Sequence, residues 1–369
     1  MMKTNALIND LLKNNNHKIP VISLSVSTKE QKTDISQLIS HRLINLTLTD
    51  SRGFEADQLD LTLDDSDGLL ELPPRNAILT LGFGWQSESI VYKGKYTVDE
   101  VEHSGSPDQV TIRARSADMR GTLLDKKERS FHKKTIKQIV ELIADENKLK
   151  AMVGQNFTQQ IIKHIDQTGE SSINFLSRLA KEYDAIATVK NGNLLFIEAG
   201  ECKTASGKML PEICITRNQG DQHRYSIAEG ENYKAVKAYY HNTDTGKRGE
   251  VYFDDNTKIE KTRKKIALKQ TKPAITDSDN IKRLSHTYKT KQSARKAVIR
   301  EFKKLGRGTA NFSLTLAQGN PDLMPELPLK TLGFKKEIDV NNWVIKQVVH
   351  SISADRGYTT SIECELSAL

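Results

Sequence analysis

KYTVDEVEHS (95–104) and NWVIKQVVHS (342–351) read as two versions of one strand. Val101, His103 and Ser104 match Val348, His350 and Ser351, and Tyr96 stands where Trp343 does. Thr80-Leu81-Gly82-Phe83 precedes the first copy and Thr331-Leu332-Gly333-Phe334 the second. Each copy then crosses a turn into a strand ending in Ser-Ala, at Ser116-Ala117 and at Ser367-Ala368. A lone TLGF is worth little among β sequences. The shared order of TLGF, aromatic, V-x-H-S, turn, strand and Ser-Ala predicts a duplicated β module. The intervening loops differ in length, which turns tolerate.

Around the first copy lie further segments that alternate apolar and polar residues, as half-buried strands do: VISLSVST (21–28), HRLINLTLTD (41–50), DQLDLTLDD (57–65), AILTLGFGW (77–85) and QVTIRARSA (109–117). Six such strands predict a small barrel or sandwich. After Gly121 the period changes. TIKQIVELIADENKL (135–149) carries its apolar residues on one helical stripe, a second helix is predicted at about 172–183, and AIATVKNGNLLFIEA (185–199) is a hairpin turning at Asn191-Gly192. Strands return at 233–241 and 249–255, KQSARKAVIREFKKLG (291–306) is an amphipathic helix stopping at Gly306, and three strands close the chain. The fold class expected is β-rich α+β: a β-barrel domain over 1–120, a middle α+β domain over 121–200, and a second β-barrel domain over 201–369 that includes a basic helical segment, 258–307.

With 369 residues, 37% hydrophobic and 28% charged, the composition is that of a globular, multidomain chain. The N-terminus lacks the apolar core of a signal peptide, and no apolar run approaches the roughly 20 residues of a spanning helix, so membrane insertion is not expected. Cys202, Cys214 and Cys364 are scattered and odd in number, and read as reduced thiols. The net charge of +8 is unevenly placed: residues 258–307 carry +13, which leaves an acidic body of −5. Aromatic residues for base stacking are sparse there, so a patch that meets an acidic protein neighbour is expected ahead of nucleic-acid binding, with Lys264, Lys265, Arg295 and Lys296 as the candidate interface.

HIDQTGESSINFLSRLAKEYD (164–184) places Gly169-Glu170-Ser171 beside His164 and Asp166. A nucleophile elbow needs a glycine two residues after its serine, and Ile173 stands there. Ser171 or Ser172 as a helix cap, with Glu170 beside the positive helix end, is the better reading. Asp64-Asp65-Ser66-Asp67-Gly68 would put Leu63 and Pro74 at calcium-ligand positions and reads as a turn. No zinc spacing or strand–glycine–helix dinucleotide pattern occurs. No catalytic residue, metal or cofactor is therefore expected.

Gln167, Glu170, Ser171, Phe175, Leu176, Arg178, Leu179 and Ala180 resemble the "Q-x-x-E-S-x-x-x-F-L-x-R-L-A" helix of the late control D proteins, baseplate hubs of contractile-tailed phages that are similar in fold to the N-terminal part of VgrG spike proteins. Trp343, Val344, Val348, His350, Gly357, Tyr358 and Thr359 resemble the family's closing "W-x-x-x-x-V-x-H-x…G-Y-x-T" element. Leu323-Met324-Pro325 resembles the segment before the last strands, where the family often has Pro-Gly and this chain has Glu326 after Pro325. The resemblance implies tube-like β domains and a homotrimer located in the virion tail baseplate after assembly in the host cytoplasm. It implies as partners a tail tube protein, a spike protein and a tape-measure protein, with nucleic acid only in transit. The rival expectations are a tail-borne peptidoglycan hydrolase using Glu170 and the hub of a tailocin or secretion-like particle.

Overall fold

The computed structural model describes residues 18–28, 32–116, 121–227, 233–242, 245–254 and 280–367. The N-terminal segments form β1 (Pro20–Ser27), β2 (Lys32–Asp34), helix α1 (Ser36–Arg42), β3 (Leu43–Ser51), β4 (Gln58–Asp64), β5 (Ile78–Trp85), β6 (Val91–Ser104) and β7 (Gln109–Ser116). Alternation does the sorting. Leu46 and Leu48 of β3, Leu59, Leu61 and Leu63 of β4 and Leu79, Leu81 and Phe83 of β5 all face one core, leaving polar residues on the other face.

A middle unit follows: β8 (Lys126–Thr135), α2 (Ile136–Glu146), β9 (Lys150–Val153), α3 (Gln155–Thr158), β10 (Ile161–Ser171), α4 (Ser172–Tyr183), β11 (Ala185–Lys190) and β12 (Asn193–Glu198). Its own core is built from Ile136, Ile139, Val140 and Ile143 of α2, Phe175, Leu176 and Leu179 of α4, and Val189, Leu194 and Phe196 of the hairpin. The hairpin turns where expected, with Asn191 and Gly192 both at positive φ (51° and 74°). The chain continues with β13 (Ile213–Thr216), β14 (Gly220–Ile227), β15 (Ala235–His241), β16 (Arg248–Asp254), β17 (Ile281–Tyr288), α5 (Lys291–Gly308), β18 (Ala310–Leu316), β19 (Pro328–Leu332), α6 (Lys336–Asp339), β20 (Trp343–Ser353) and β21 (Gly357–Leu366).

The ladders establish how the two β modules correspond. The first runs β3-β4-β7-β6-β5-β1 and the second β14-β18-β21-β20-β19-β13. Their irregularities coincide as well. The β3–β4 ladder shifts between Leu43 and Asn45, and β14–β18 shifts between Gly220 and Gln222. The β6–β7 ladder shifts between Val98 and Glu100, and β20–β21 between Ile345 and Gln347. Bulges re-aim a strand at one point, so two of them at equivalent points in two ladders are a structural signature of duplication. The modules depart at the outer strand: β1 runs antiparallel to β5, whereas β13 runs parallel to β19.

The same registers correct the tetrapeptide match. Leu79 pairs with Tyr96 and Leu329 with Trp343, so Leu79 corresponds to Leu329 and Thr331 to Leu81. The two TLGF sequences are one residue out of step. A slip of one reverses every facing in a strand, and accordingly Leu81 is fully buried while Leu332 is 48% exposed.

The two modules share one thirteen-stranded sheet, because the far half of β20 pairs with β3, Gln347 opposite Ser51 through Ser353 opposite Asn45. Two further expectations change. The basic segment is not wholly helical: β17 precedes α5 and pairs parallel to β15. Helix α5 also runs through Gly306 to Gly308, since its stripe of Ala294, Val298, Phe302 and Leu305 packs on Val236, Ala238, Val251 and Phe253 to form a core of its own. This α/β unit sits between β14 and β18, where the first module has only the short connection from β3 to β4.

Candidate functional site

The seam between the modules, β3 against β20, gathers the most unusual side chains. His350 lies opposite Leu48 and is fully buried. Tyr358 Oη stands 2.9 Å and Thr360 Oγ1 3.1 Å from its Nδ1, and Lys93 Nζ stands 3.2 Å from its Nε2. Phe83 packs edge-on against the imidazole at 5.1 Å. Burial, with Lys93 adding to it, holds His350 well below the usual imidazole range. Burial likewise lowers Lys93 to about 8, and pushes the Tyr358 hydroxyl up. Trp343, also fully buried, donates from Nε1 to the Ile338 carbonyl at 3.0 Å. Gly357 takes φ +71° in the turn before Tyr358, a conformation that glycine supplies without strain.

The end of β3 is a polar crossroads. Lys190 of β11 reaches Asp57 at 2.7 Å and also pairs with Asp50. Burial, reinforced by Asp50, raises Asp57 to about 6 despite that lysine. One residue on, Arg52 bridges Glu326 and Glu365, each at 2.5 Å, the Glu326 contact being an ion contact rather than an aligned hydrogen bond. Arg307 of α5 grips Asp184 at the end of α4 and lies 3.5 Å from Glu365. The first module, the middle unit, the inserted unit and the second module therefore meet through one set of charges. Buried pairs contribute little net stability against apolar replacements, but removing one partner strands the other. Such a set fixes how four units sit together.

Glu326, the residue that stands where the family often has the glycine of Pro-Gly, has a role that the sequence did not assign. It holds φ +71°, which glycine adopts freely, and its Oε2 accepts from Gly200 N–H at 3.0 Å. The glutamate takes the strained conformation and uses its carboxylate to join the middle unit to the seam. Burial raises its affinity for a proton, with Arg52 opposing.

The helix motif builds the start and the buried face of α4. Ser171 caps α4, accepting from Asn174 N–H at 3.2 Å. Gln167, fully buried, accepts from Arg129 at 2.8 Å and donates to the Glu170 carbonyl at 2.9 Å. Glu170 pairs with Arg178 at 2.5 Å, whose guanidinium lies over Phe175. Phe175, Leu176 and Leu179 are core. His164 does contact Asp166, at 2.9 Å, but the hydroxyl that joins them is Ser130 on the neighbouring strand. In the segment Asp64–Gly68, read from sequence as a turn, Asp67 pairs with Arg42 and Asp65 accepts from Leu70 N–H.

Of the candidate interface, Arg295 and Lys296 are exposed on α5, with Lys296 donating to Gln160 at 2.9 Å; Lys264 and Lys265 lie outside the described residues. No helix among the described residues is long and apolar enough to cross a membrane.

Two of the open strand edges in the large sheet correspond to edges that are paired elsewhere in the chain. Among the described residues β14 pairs only with β18, and β6 beyond Val98 pairs only with β7. These are the counterparts of β3 and of the far half of β20, the edges that pair inside the chain. His103, the counterpart of His350, is accordingly exposed, 3.3 Å from Asp65, so matching sequence positions have unlike surroundings. Ile227 at the end of β14 is 60% exposed.

Comparison with known proteins places these features. The family described as phage tail baseplate hub matches residues 88–356. A protein of Escherichia phage 186 named "Probable baseplate hub protein" is 44% identical over 352 residues, covering 90% of each chain, and that name is not an enzyme's. In fold the chain is similar to a tail protein from Neisseria meningitidis MC58, with a TM-score of 0.65 at 10% identity over 94% of this chain and 96% of that one. It is also similar to an E. coli component of the type VI secretion system, with a TM-score of 0.52 at 13% identity over 88% and 73%.

Proposed function

The chain belongs to the phage tail baseplate hub family, and from that membership we propose that it is the structural hub of a contractile tail: three copies close into a ring that joins the sixfold tail tube to the threefold spike and lines the channel between them. Its work is assembly and load transfer, without turnover of a substrate.

The observation that carries this reading is the pair of open edges. Inside the chain, β3 of the first module joins the far half of β20 of the second. The corresponding edges, β14 of the second module and the far half of β6 of the first, are unpaired within the described chain. An exposed edge is a template for another chain, and a heterologous contact that repeats by rotation closes into a ring. If β14 of one chain joins β6 of the next as β3 joins β20, three chains give six like junctions, three within chains and three between them. Such a ring offers near-sixfold symmetry to the tube protein on one face and true threefold symmetry to the spike protein on the other. The tape-measure protein and nucleic acid would pass through its centre.

Light scattering tests this. At micromolar concentration, alone or with the spike protein, the purified chain is expected to show three times its 41.5 kDa mass. A monomer under all of these conditions overturns the ring.

A further inference from the structure

The two-stranded ribbon of β8 and β10 carries a constellation that the hub reading does not use. Its register sets His164 directly opposite His132 on the outward face. The two rings lie 4.6 Å apart between centroids, and their Nδ1 atoms are 3.1 Å from one another. His164 Nε2 contacts Asp166 Oδ2 at 2.9 Å, and Ser130 donates to the other oxygen of that carboxylate at 2.5 Å.

The carboxylate orders the tautomer. A carboxylate oxygen accepts, so His164 carries its proton on Nε2 and presents the bare lone pair of Nδ1 to His132. This carboxylate–imidazole arrangement is the one that supports metal-bound histidine, raising its basicity and fixing its ring. Two nitrogens bound about 2.0–2.1 Å from one tetrahedral or octahedral ion stand about 2.9–3.4 Å apart, a range that contains the observed separation. Both rings are exposed, His164 by 52%, so His132 can turn its lone pair toward an ion held at His164 Nδ1, and water can complete the coordination.

We propose that His132 and His164 form a cross-strand site for a borderline divalent ion, Zn2+ foremost, with Asp166 as the positioning residue behind His164. Imidazole nitrogen selects Zn2+, Ni2+ and Cu2+ over Mg2+ and Ca2+. Among the described residues no group of three His, Cys, Asp or Glu side chains is placed to hold a metal, so affinity in the micromolar range is expected rather than that of a closed structural site. The ion would staple the ribbon, whose β8 buries only Phe131.

The test is calorimetric titration of the untagged, full-length chain, dialysed against chelator, with ZnCl2 at pH 7.5. One Zn2+ per chain is expected, along with a higher melting temperature. His132→Gln and His164→Gln should each weaken that event more than tenfold, and Asp166→Asn should weaken it about tenfold, all with unchanged far-UV circular dichroism. Absence of the event in the wild type, or its persistence in both histidine variants, overturns the site. Wild-type affinity in Asp166→Asn overturns the role given to the carboxylate.

Discussion

Glu326 and His350 are the residues where structure and sequence pattern part. Glu326→Gly and Glu326→Ala both remove the carboxylate that Arg52 and Gly200 use, but only alanine keeps a Cβ at φ +71°. Alanine is therefore expected to be the less stable variant by about 1 kcal/mol in urea unfolding. Arg52→Ala leaves the largely buried Glu326 without a cationic partner and Glu365 with only the Arg307 contact at 3.5 Å, and is expected to cost about 3 kcal/mol. His350 makes a prediction about pH. Its folded affinity for a proton lies below that of the unfolded imidazole, near 6.5. The unfolded chain therefore binds the proton first as pH falls, and the stability His350 contributes above about 6.5 is lost on acidification. Between pH 7.5 and 5 the melting temperature of the wild type should fall further than that of His350→Gln. Parallel curves would show that the ring is not the titrating group.

Elements were legible where burial leaves a period. Helix α4 was bounded from its serine cap and apolar stripe, and Ser171→Ala is expected to cost about 1 kcal/mol in thermal or urea unfolding, consistent with loss of one cap. Leu179, wholly buried, should cost about 2–5 kcal/mol on truncation to alanine. The β8–β10 ribbon left almost no period to read: Lys126–Thr135 has one buried side chain in ten residues, so strand formation there depends on β10 alongside it. Helix α5 was found, but its end was misread at Gly306, because packing on β15 and β16 outweighs the roughly 1 kcal/mol that an interior glycine costs.

In the whole molecule the ladder correspondence carries a register. Transferring the β3–β20 pairing to the open edges sets Val101 of one chain opposite Ile227 of the next. In a Cys214→Ser background, Val101→Cys with Ile227→Cys should give a covalent trimer on a non-reducing gel. A light-scattering trimer that never cross-links would refute this register while leaving the ring intact. Reversing Arg295 and Lys296 with Lys264 and Lys265 to glutamate is expected to reduce complete tails counted by electron microscopy, with the melting temperature unchanged. Normal tail counts would remove the acidic-neighbour proposal.

The sequence by itself determined that a β module occurs twice, that a helix-and-hairpin unit lies between the copies, and that the GESS serine caps a helix, because periodicity and capping are local properties of a chain. Only the tertiary structure decided that the two modules share one sheet, that their true alignment is a residue away from the TLGF match, and that His350 is buried where His103 is exposed. Those outcomes depend on which strand edge meets which across more than 290 residues between Ser51 and Gln347, and no local pattern records the identity of a distant edge.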